Sequence, residues 1–316
     1  MNRREAVAAL VLACSAPALL VRRAVAQASR KLRIGYQKNG VLVIARRQTV
    51  LENRLVRDGV SVEWVEFAAG PPLLEAVAAG EIDVGQVGDT PPIFAQAAAA
   101  PIVYVAGQSI TNGQGILVRS DSDISALADL TGKRIGFTKG SSAHNVVLLA
   151  LEKAGLTYGD IVPVYLSPAD AAAAFARRSI DAWAVWDPYY AIGEKVGGGR
   201  VLVHASALGK TNAFYIANRT FAARQSLLLR SVLDTLGETA QWAETHRDQV
   251  AQALADVTGV DLAIQTIAAQ CSSFAIGKLT DDIITTQQGV ADRFFKLGLI
   301  PRPIVIREAI WTAPQS

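Results

Sequence analysis

The sequence predicts an α/β protein of two similarly built lobes that face one ligand cleft, followed by a helical C-terminal tail. Three observations predict it. Short runs of strand character alternate with Ala/Leu-rich helical runs through the first two thirds of the chain. Two sequence phrases recur about one hundred positions downstream. From Ala222 onward the strand signal stops and helical periodicity takes over.

In chain order, the first element is a leader. Arg3 and Arg4 precede an uncharged, mostly apolar run over 6–21, which ends at Arg22, Arg23 and the small triplet Ala24-Val25-Ala26. A positive start, an apolar stretch short for a membrane span and an A-x-A site describe a cleaved export signal, spanning 1–26, with the mature chain starting at Gln27. A membrane anchor is the competing reading, but Pro17 and the abrupt Arg22-Arg23 interrupt the run. Arg3-Arg4 leaves the twin-arginine route open beside the general one. Cys14 after Val11-Leu12-Ala13 invites a lipoprotein reading, which the apolar run continuing to Val21 weakens.

Removing the leader changes the charge. The whole chain of 316 residues has 31 Lys+Arg against 28 Asp+Glu, a net of +3, whereas the mature chain has 27 of each. A neutral protein has no field that steers it toward nucleic acid or anionic lipid. Only Cys271 then remains, so the exported chain holds no internal disulfide. His144, His204 and His246 are too scattered for a metal cluster.

Strand candidates follow at 32–36, 60–67, 82–87, 102–106, 116–119, 134–138, 161–166, 181–186, 200–204 and 213–217. Helical candidates lie between them at 41–56, 71–79, 91–99, 143–154 and 169–178. The tail reads as helices at 226–236, 238–255, 261–272 and 280–297. This alternation implies largely parallel sheets under helices. The repeat sharpens it. Arg33-Ile34-Gly35-Tyr36-Gln37-Lys38 returns as Arg134-Ile135-Gly136-Phe137-Thr138-Lys139, and the phrase from Ile82-Asp83 to Asp89 returns from Ile180-Asp181 to Asp187.

Ligands of open α/β sheets bind beyond the carboxyl ends of the strands. The loops there are Gln37-Lys38-Asn39-Gly40, Asp89-Thr90-Pro91, Lys139-Gly140-Ser141-Ser142 and Trp186-Asp187-Pro188. Gly140-Ser141-Ser142-Ala143-His144-Asn145 feeds directly into a helix, where open N–H groups and the helix dipole favour an anion and the hydroxyls add neutral donors. An N-cap without a ligand fits the same residues. Gly70-Pro71-Pro72 and Thr90-Pro91-Pro92 are further helix starts, with a structural role equally open. Of the aromatic cluster around Asp187, strand alternation assigns Trp186 to the cleft and Trp183 to the core.

Enzyme signatures are sparse. The chain lacks a Gly-x-Gly-x-x-Gly after a strand, a Walker loop, a Gly-x-Ser-x-Gly elbow and Cys-x-x-Cys. A triad of Ser141, His144 and Asp187 can be drawn on paper, and the same spacing serves an anion site. Cys271 falls in the helical tail, outside every cleft loop.

Residues 32–38, 140–145, 164–171 and 181–190 resemble the aliphatic sulfonate-binding proteins of bacterial ABC importers, within the nitrate/sulfonate/taurine group of solute-binding proteins. The resemblance runs clearly from about Leu32 to about Ala217. It implies a type II periplasmic binding fold, with crossing segments near 113–119 and 211–217, one lobe of 27–112 plus 217–316 and another of 113–216. It further implies a monomeric, non-catalytic protein of the periplasm without cofactor or metal. Such a protein would capture an alkanesulfonate and present it to a permease with a cytoplasmic ATPase. Taurine, nitrate or an aromatic sulfonate would be the sister ligands, and a desulfinase or pyrimidine synthase the scaffold-related enzymes. The ligand-binding residues carried over are Gln37, Lys38, Asp89, Thr90, Ser141, Ser142, His144, Asn145, Trp186 and Asp187. Asn39-Gly40-Val41-Leu42 departs from the small hydroxyl residues of relatives, which puts contacts from the first loop in question. Asp187 would repel a sulfonate directly, so it orients a donor, meets an ammonium or pairs with Lys38 or Lys139.

Overall fold

The computed structural model describes residues 30–110 and 112–313. The expected leader, its cleavage point near Ala26 and Cys14 lie outside the described residues. Two five-stranded sheets carry the fold. The first contains β1 (Arg30–Tyr36), β2 (Val60–Glu66), β3 (Val84–Gly88), β4 (Ile102–Ile110) and β10 (Thr211–Asn218), in the order β2-β1-β3-β10-β4. The second contains β5 (Gln114–Arg119), β6 (Arg134–Phe137), β7 (Val162–Tyr165), β8 (Ala182–Trp186) and β9 (Gly199–His204), in the order β7-β6-β8-β5-β9.

The two sheets repeat one plan. In each, three strands run parallel, joined by helical crossovers. The expectation of largely parallel sheets holds for those three strands alone. β10 runs antiparallel to both β3 and β4, and β5 runs antiparallel to both β8 and β9. Each of these strands receives the chain as it arrives from the other sheet, so its direction is set by the crossing and not by a crossover helix. Both crossings lie ahead of the segments expected for them, the first before Gln114 and the second at 205–210, because Gln114–Arg119 is wholly a strand of the second sheet and Thr211–Asn218 wholly a strand of the first.

The repeated phrases fold into repeated clamps. Arg33 donates to Asp83 from its main-chain N–H (2.8 Å), Nε (3.1 Å) and Nη2 (2.6 Å). Arg134 makes the same three contacts to Asp181 at 2.8, 3.1 and 2.9 Å. A bidentate guanidinium–carboxylate pair fixes orientation as well as charge, so each clamp ties the start of a central strand to the segment entering its neighbour. The glycine that follows each arginine by two positions is closely packed: a Cβ would stand 3.0 Å from Leu73 Cγ at Gly35 and 2.4 Å from Ile180 Cδ1 at Gly136.

Helices cover the sheets. α1 (Val41–Gln48), α2 (Val50–Leu55), α3 (Gly70–Ala79) and α4 (Thr90–Ala97) belong to the first half, while α5 (Ser142–Ala154), α6 (Pro168–Ala176) and α7 (Tyr189–Lys195) belong to the second. The tail comprises α8 (Arg219–Arg224), α9 (Ser226–Thr245), α10 (Arg247–Thr258), α11 (Leu262–Cys271) and α12 (Asp281–Lys296). It packs on the first half, where Val232, Leu236 and Ala240 of α9 share a core with Leu42 and Ile44 of α1. α9 continues through Gly237, where the sequence suggested a break, and stops at His246. α7 and α8 were not expected, since seven and six residues are fewer than the roughly 11–18 over which helical periodicity shows in sequence.

Candidate ligand-binding site

A cavity of about 800 Å³, counting the solvent at its mouth, lies between the halves at the carboxyl ends of the parallel strands. Three helices begin on its wall. α1 starts after Gly40, α3 at Gly70 and α5 after Ser141, and none of the three has a side-chain cap. Their first-turn N–H groups are therefore left for a ligand or for water, apart from that of His144, which donates to the Ser141 oxygen at 3.0 Å. α3 contributes less, because Pro71 and Pro72 have no N–H. Gly40 is needed at its place: it has φ of 80°, and a Cβ there would approach Gln86 Oε1 at 2.9 Å.

Between the helix starts the wall is rich in carboxamides and hydroxyls. Gln37 donates from Nε2 to the main-chain oxygen of Gln86 at 3.2 Å, and Gln86 Nε2 donates to Gln108 Oε1 at 3.3 Å. Gln108 in turn donates to the main-chain oxygen of Ser273 in the tail. This chain locks the amides in one orientation. Gln114, on the first strand after the crossing, is 5 % exposed and its Nε2 has no hydrogen-bond partner. A buried donor left unpaired costs free energy that a ligand acceptor would recover. Ser141 Oγ donates to the oxygen of Thr138 at 2.7 Å, whereas no described residue bonds the Ser142 hydroxyl.

Of the expected site residues, Gln37, Ser141, Ser142, Trp186 and Asp187 line this cavity. Trp186 borders it as strand alternation predicts, and Trp183 is buried in the second half's core. Lys38 stands in an adjoining hollow with Glu66 and Tyr189, its Nζ donating to the oxygen of Thr258 at 3.0 Å. Asn39 and Gly40, in question from the sequence, do line the cavity, and Asn39 Nδ2 donates across to the main-chain oxygen of Asp187 at 2.9 Å.

Four expected residues stand elsewhere. Asp89, Thr90 and Asn145 are buried behind the wall, where Asn145 Nδ2 donates to Asp89 Oδ2 at 2.7 Å and Thr90 donates to Asp89 Oδ1 at 2.8 Å. Burial pushes the Asp89 carboxyl up to about 6, against the pull of those two bonds and of Arg293. His144 sits in an aromatic box of Phe137, Tyr158, Tyr165 and Phe294. Its Nδ1 accepts from Gly140 N–H at 3.3 Å and its Nε2 has no partner. Burial, with Lys139 adding to it, lowers its pKa to about 4, so the ring is neutral. With Nδ1 so engaged the paper triad of Ser141, His144 and Asp187 is not assembled.

Asp187 is the one ionisable side chain among the described residues lining the cavity. Its Oδ1 accepts from Ala191 N–H at 3.0 Å. Neither lysine suggested as its partner reaches it: Lys38 is engaged as above, and Lys139 Nζ lies over the Tyr165 ring at 5.4 Å. Burial lifts the Asp187 carboxyl to about 7, opposed by the Ala191 bond and helped by Glu194. No group of three or more His, Cys, Asp and Glu among the described residues could hold a metal ion.

This architecture is shared with known proteins. The family described as NMT1/THI5 like matches residues 56–250. The chain belongs to that family. Within it, the fold superimposes with a TM-score of 0.84 on the alkanesulfonate-binding protein SsuA from Xanthomonas axonopodis pv. citri bound to MOPS. The two are 41 % identical over 89 % of this chain and 98 % of that one. The periplasmic aliphatic sulphonate binding protein SsuA from Escherichia coli gives 0.81 at 40 % identity, over 91 % and 94 % of the two chains. A taurine-binding periplasmic protein of Escherichia coli (strain K12) is 28 % identical over 63 % of this chain and 65 % of its own length. The type II periplasmic binding fold expected from the sequence is thus the fold observed, and these relatives are binding proteins. Among the described residues no helix is long and apolar enough to cross a membrane.

Proposed function

We propose that this chain is an exported solute-binding protein that captures an alkanesulfonate between its halves and presents the closed complex to an ABC permease. The observation that carries the reading is the donor set of the cavity. A sulfonate stays ionised at physiological pH and can only accept hydrogen bonds. Three uncapped helix starts, the free Ser142 hydroxyl and the unpaired Gln114 amide offer donors without a countercharge. Trp186, Val87 and Ile110 give the alkyl portion an apolar wall. The two strong likenesses to sulfonate-binding proteins support the same class.

In this reading the lobes are 27–112 with 211–316, and 113–210, the boundary expected at 216 moving back because Thr211–Asn218 pairs in the first sheet. The chain acts as a monomer in the periplasm, its leader removed near Ala26. Gln37, Ser141, Ser142 and Trp186 contact the ligand, joined by Asn39 and Gln114. Titration calorimetry of the mature chain against ethanesulfonate, butanesulfonate, taurine, nitrate and sulfate tests it. Binding of the alkanesulfonates ahead of the others is expected, and binding of none of the five overturns the proposal.

A further inference from the structure

The cavity poses an electrostatic problem that its donors do not solve. It is built for an anion, yet the one ionisable side chain on its described wall is the acid Asp187. The groups around that acid make the conflict sharper. On α7, Glu194, itself paired with Lys195 at 3.0 Å, acts on it with the same sign, and Tyr190 is raised by it. On α11, Cys271 is raised by it as well. Tyr190 shares a hydrogen bond of 3.0 Å with His204 Nδ1 and does not reach Asp187 with a charge. The loop after β1 and the crossing segment present Asn39, Gly113 and Gln114, all uncharged. Asp187 has no ion-pair partner among the described residues.

The two carboxylate oxygens differ. Oδ1 is held by the Ala191 N–H, while Oδ2 has no hydrogen-bond partner among the described residues and lies where a side chain on Gly113 would stand, 2.6 Å from the ideal Cβ position. An ionised Oδ2 facing a sulfonate across a desolvated cavity is a like-charge pair and is disfavoured. A protonated Oδ2 is a hydrogen-bond donor and suits a sulfonate oxygen.

We propose that Asp187 reads the charge that the ligand turns toward it: it accepts a purely anionic sulfonate only with a proton on Oδ2, and an aminosulfonate with the carboxylate ionised. Above about pH 7, capture of an alkanesulfonate then takes up one proton from solvent, which adds to Asp187 without any other bond being broken. Capture of an aminosulfonate takes up none, because its ammonium supplies the opposite charge. The burial that already lifts the carboxyl makes the protonated form accessible near neutral pH. This inference rests on the sulfonate reading above and names the residue by which that site separates two sulfonate classes.

Calorimetry of the mature chain with ethanesulfonate and with taurine, at about pH 5.5 and about pH 8.5 and in two buffers of different ionisation heat, tests it. Ethanesulfonate affinity is expected to fall toward tenfold per pH unit above about 7, with nearly one proton taken up per ligand at the higher pH. Taurine affinity is expected not to fall over the same range. Asp187→Asn should remove the pH dependence for ethanesulfonate while keeping an acceptor for Ala191 N–H. Equal ethanesulfonate affinity at both pH values with no proton uptake overturns the inference and leaves the sulfonate reading standing. An equal fall for both ligands overturns it too, and failure of both ligands to bind at either pH overturns the sulfonate reading with it.

Discussion

Asn145 on α5 of the second half hydrogen-bonds Asp89, at the end of β3 in the first, with 2.7 Å between Nδ2 and Oδ2. Both residues are buried, so this is a dry link between the two halves. Arg293 of α12 extends it, donating to Asn145 Oδ1 at 3.3 Å and to Glu152 at 3.0 Å, and Gln287 donates to the main-chain oxygen of Asp89 at 2.6 Å. Asn145→Ala leaves Asp89 with one of its two side-chain donors, a loss of about 1–3 kcal/mol for a buried acceptor. A lowered melting temperature at neutral pH is the expected outcome, with the deficit shrinking as pH falls below about 6, where the folded Asp89 carboxyl takes up a proton. Calorimetric melting across that range checks it, and an unchanged melting temperature would count against the link.

His144 and Asp89 bend the pH profile in opposite directions. The His144 pKa is lowered from 6.5 to about 4, so the unfolded chain binds the extra proton between those values and stability falls as pH drops through them. The Asp89 pKa is raised from 3.8 to about 6, so the folded chain binds the extra proton and stability falls as pH rises through that window. Asp187 adds to the second trend up to about 7. Replacing His144 by Phe fits the aromatic box and deletes the first trend. The variant is expected to gain stability relative to the parent between about pH 4 and 6, read by chemical unfolding at several pH values. A parallel pair of curves would show that the imidazole is not held neutral.

Much of this architecture was legible in the sequence, for reasons that particular residues show. Arg33 and Asp83 recur as Arg134 and Asp181 because each pair is a clamp between neighbouring elements, and a clamp demands residue types as well as polarity. Strands such as Ala182–Trp186 were legible because both faces are covered, which writes them as apolar runs. Direction was not legible for β5 and β10, since it depends on where the chain re-enters a sheet. His144 was misplaced by reasoning along the chain: two positions past Ser142 is about 200° around a helix, so the imidazole faces away from the hydroxyl. The carboxamides of Gln86, Gln108, Gln114 and Asn212 were missed because each arrives singly from a different strand, and no spacing along the chain links them.

The two serines at the start of α5 are not equivalent. Ser141 spends its hydroxyl on the Thr138 oxygen, while Ser142 has a hydroxyl free of protein partners at the cavity wall. Ser142→Ala is expected to weaken ethanesulfonate binding by about tenfold to a hundredfold, the worth of a hydrogen bond to a charged acceptor. Ser141→Ala should lower stability more than affinity. Calorimetry and melting of both variants separate the two effects, and the reverse ranking would mean that the sulfonate lies elsewhere in the cavity.

Gly88 marks how closely the halves approach. It ends β3 of the first sheet, and a Cβ there would stand 2.7 Å from Ser142 Cβ and 3.0 Å from its Oγ, across the cavity wall. Cβ contacts that short do not occur, and the obstructing atom is a short side chain at a helix start that cannot swing aside. Gly88→Ala therefore holds the second half away from the first, by an amount that opens the helix-start donors to water. Strand backbone accepts alanine without strain, so the ligand-free chain should melt within a few degrees of the parent. Ligand affinity should fall by at least about tenfold, equivalent to about 1.4 kcal/mol of lost closure. Small-angle scattering with saturating ethanesulfonate should show a larger radius of gyration than the parent complex. Parental affinity in this variant would mean that ligand capture does not require Gly88 and Ser142 to come together.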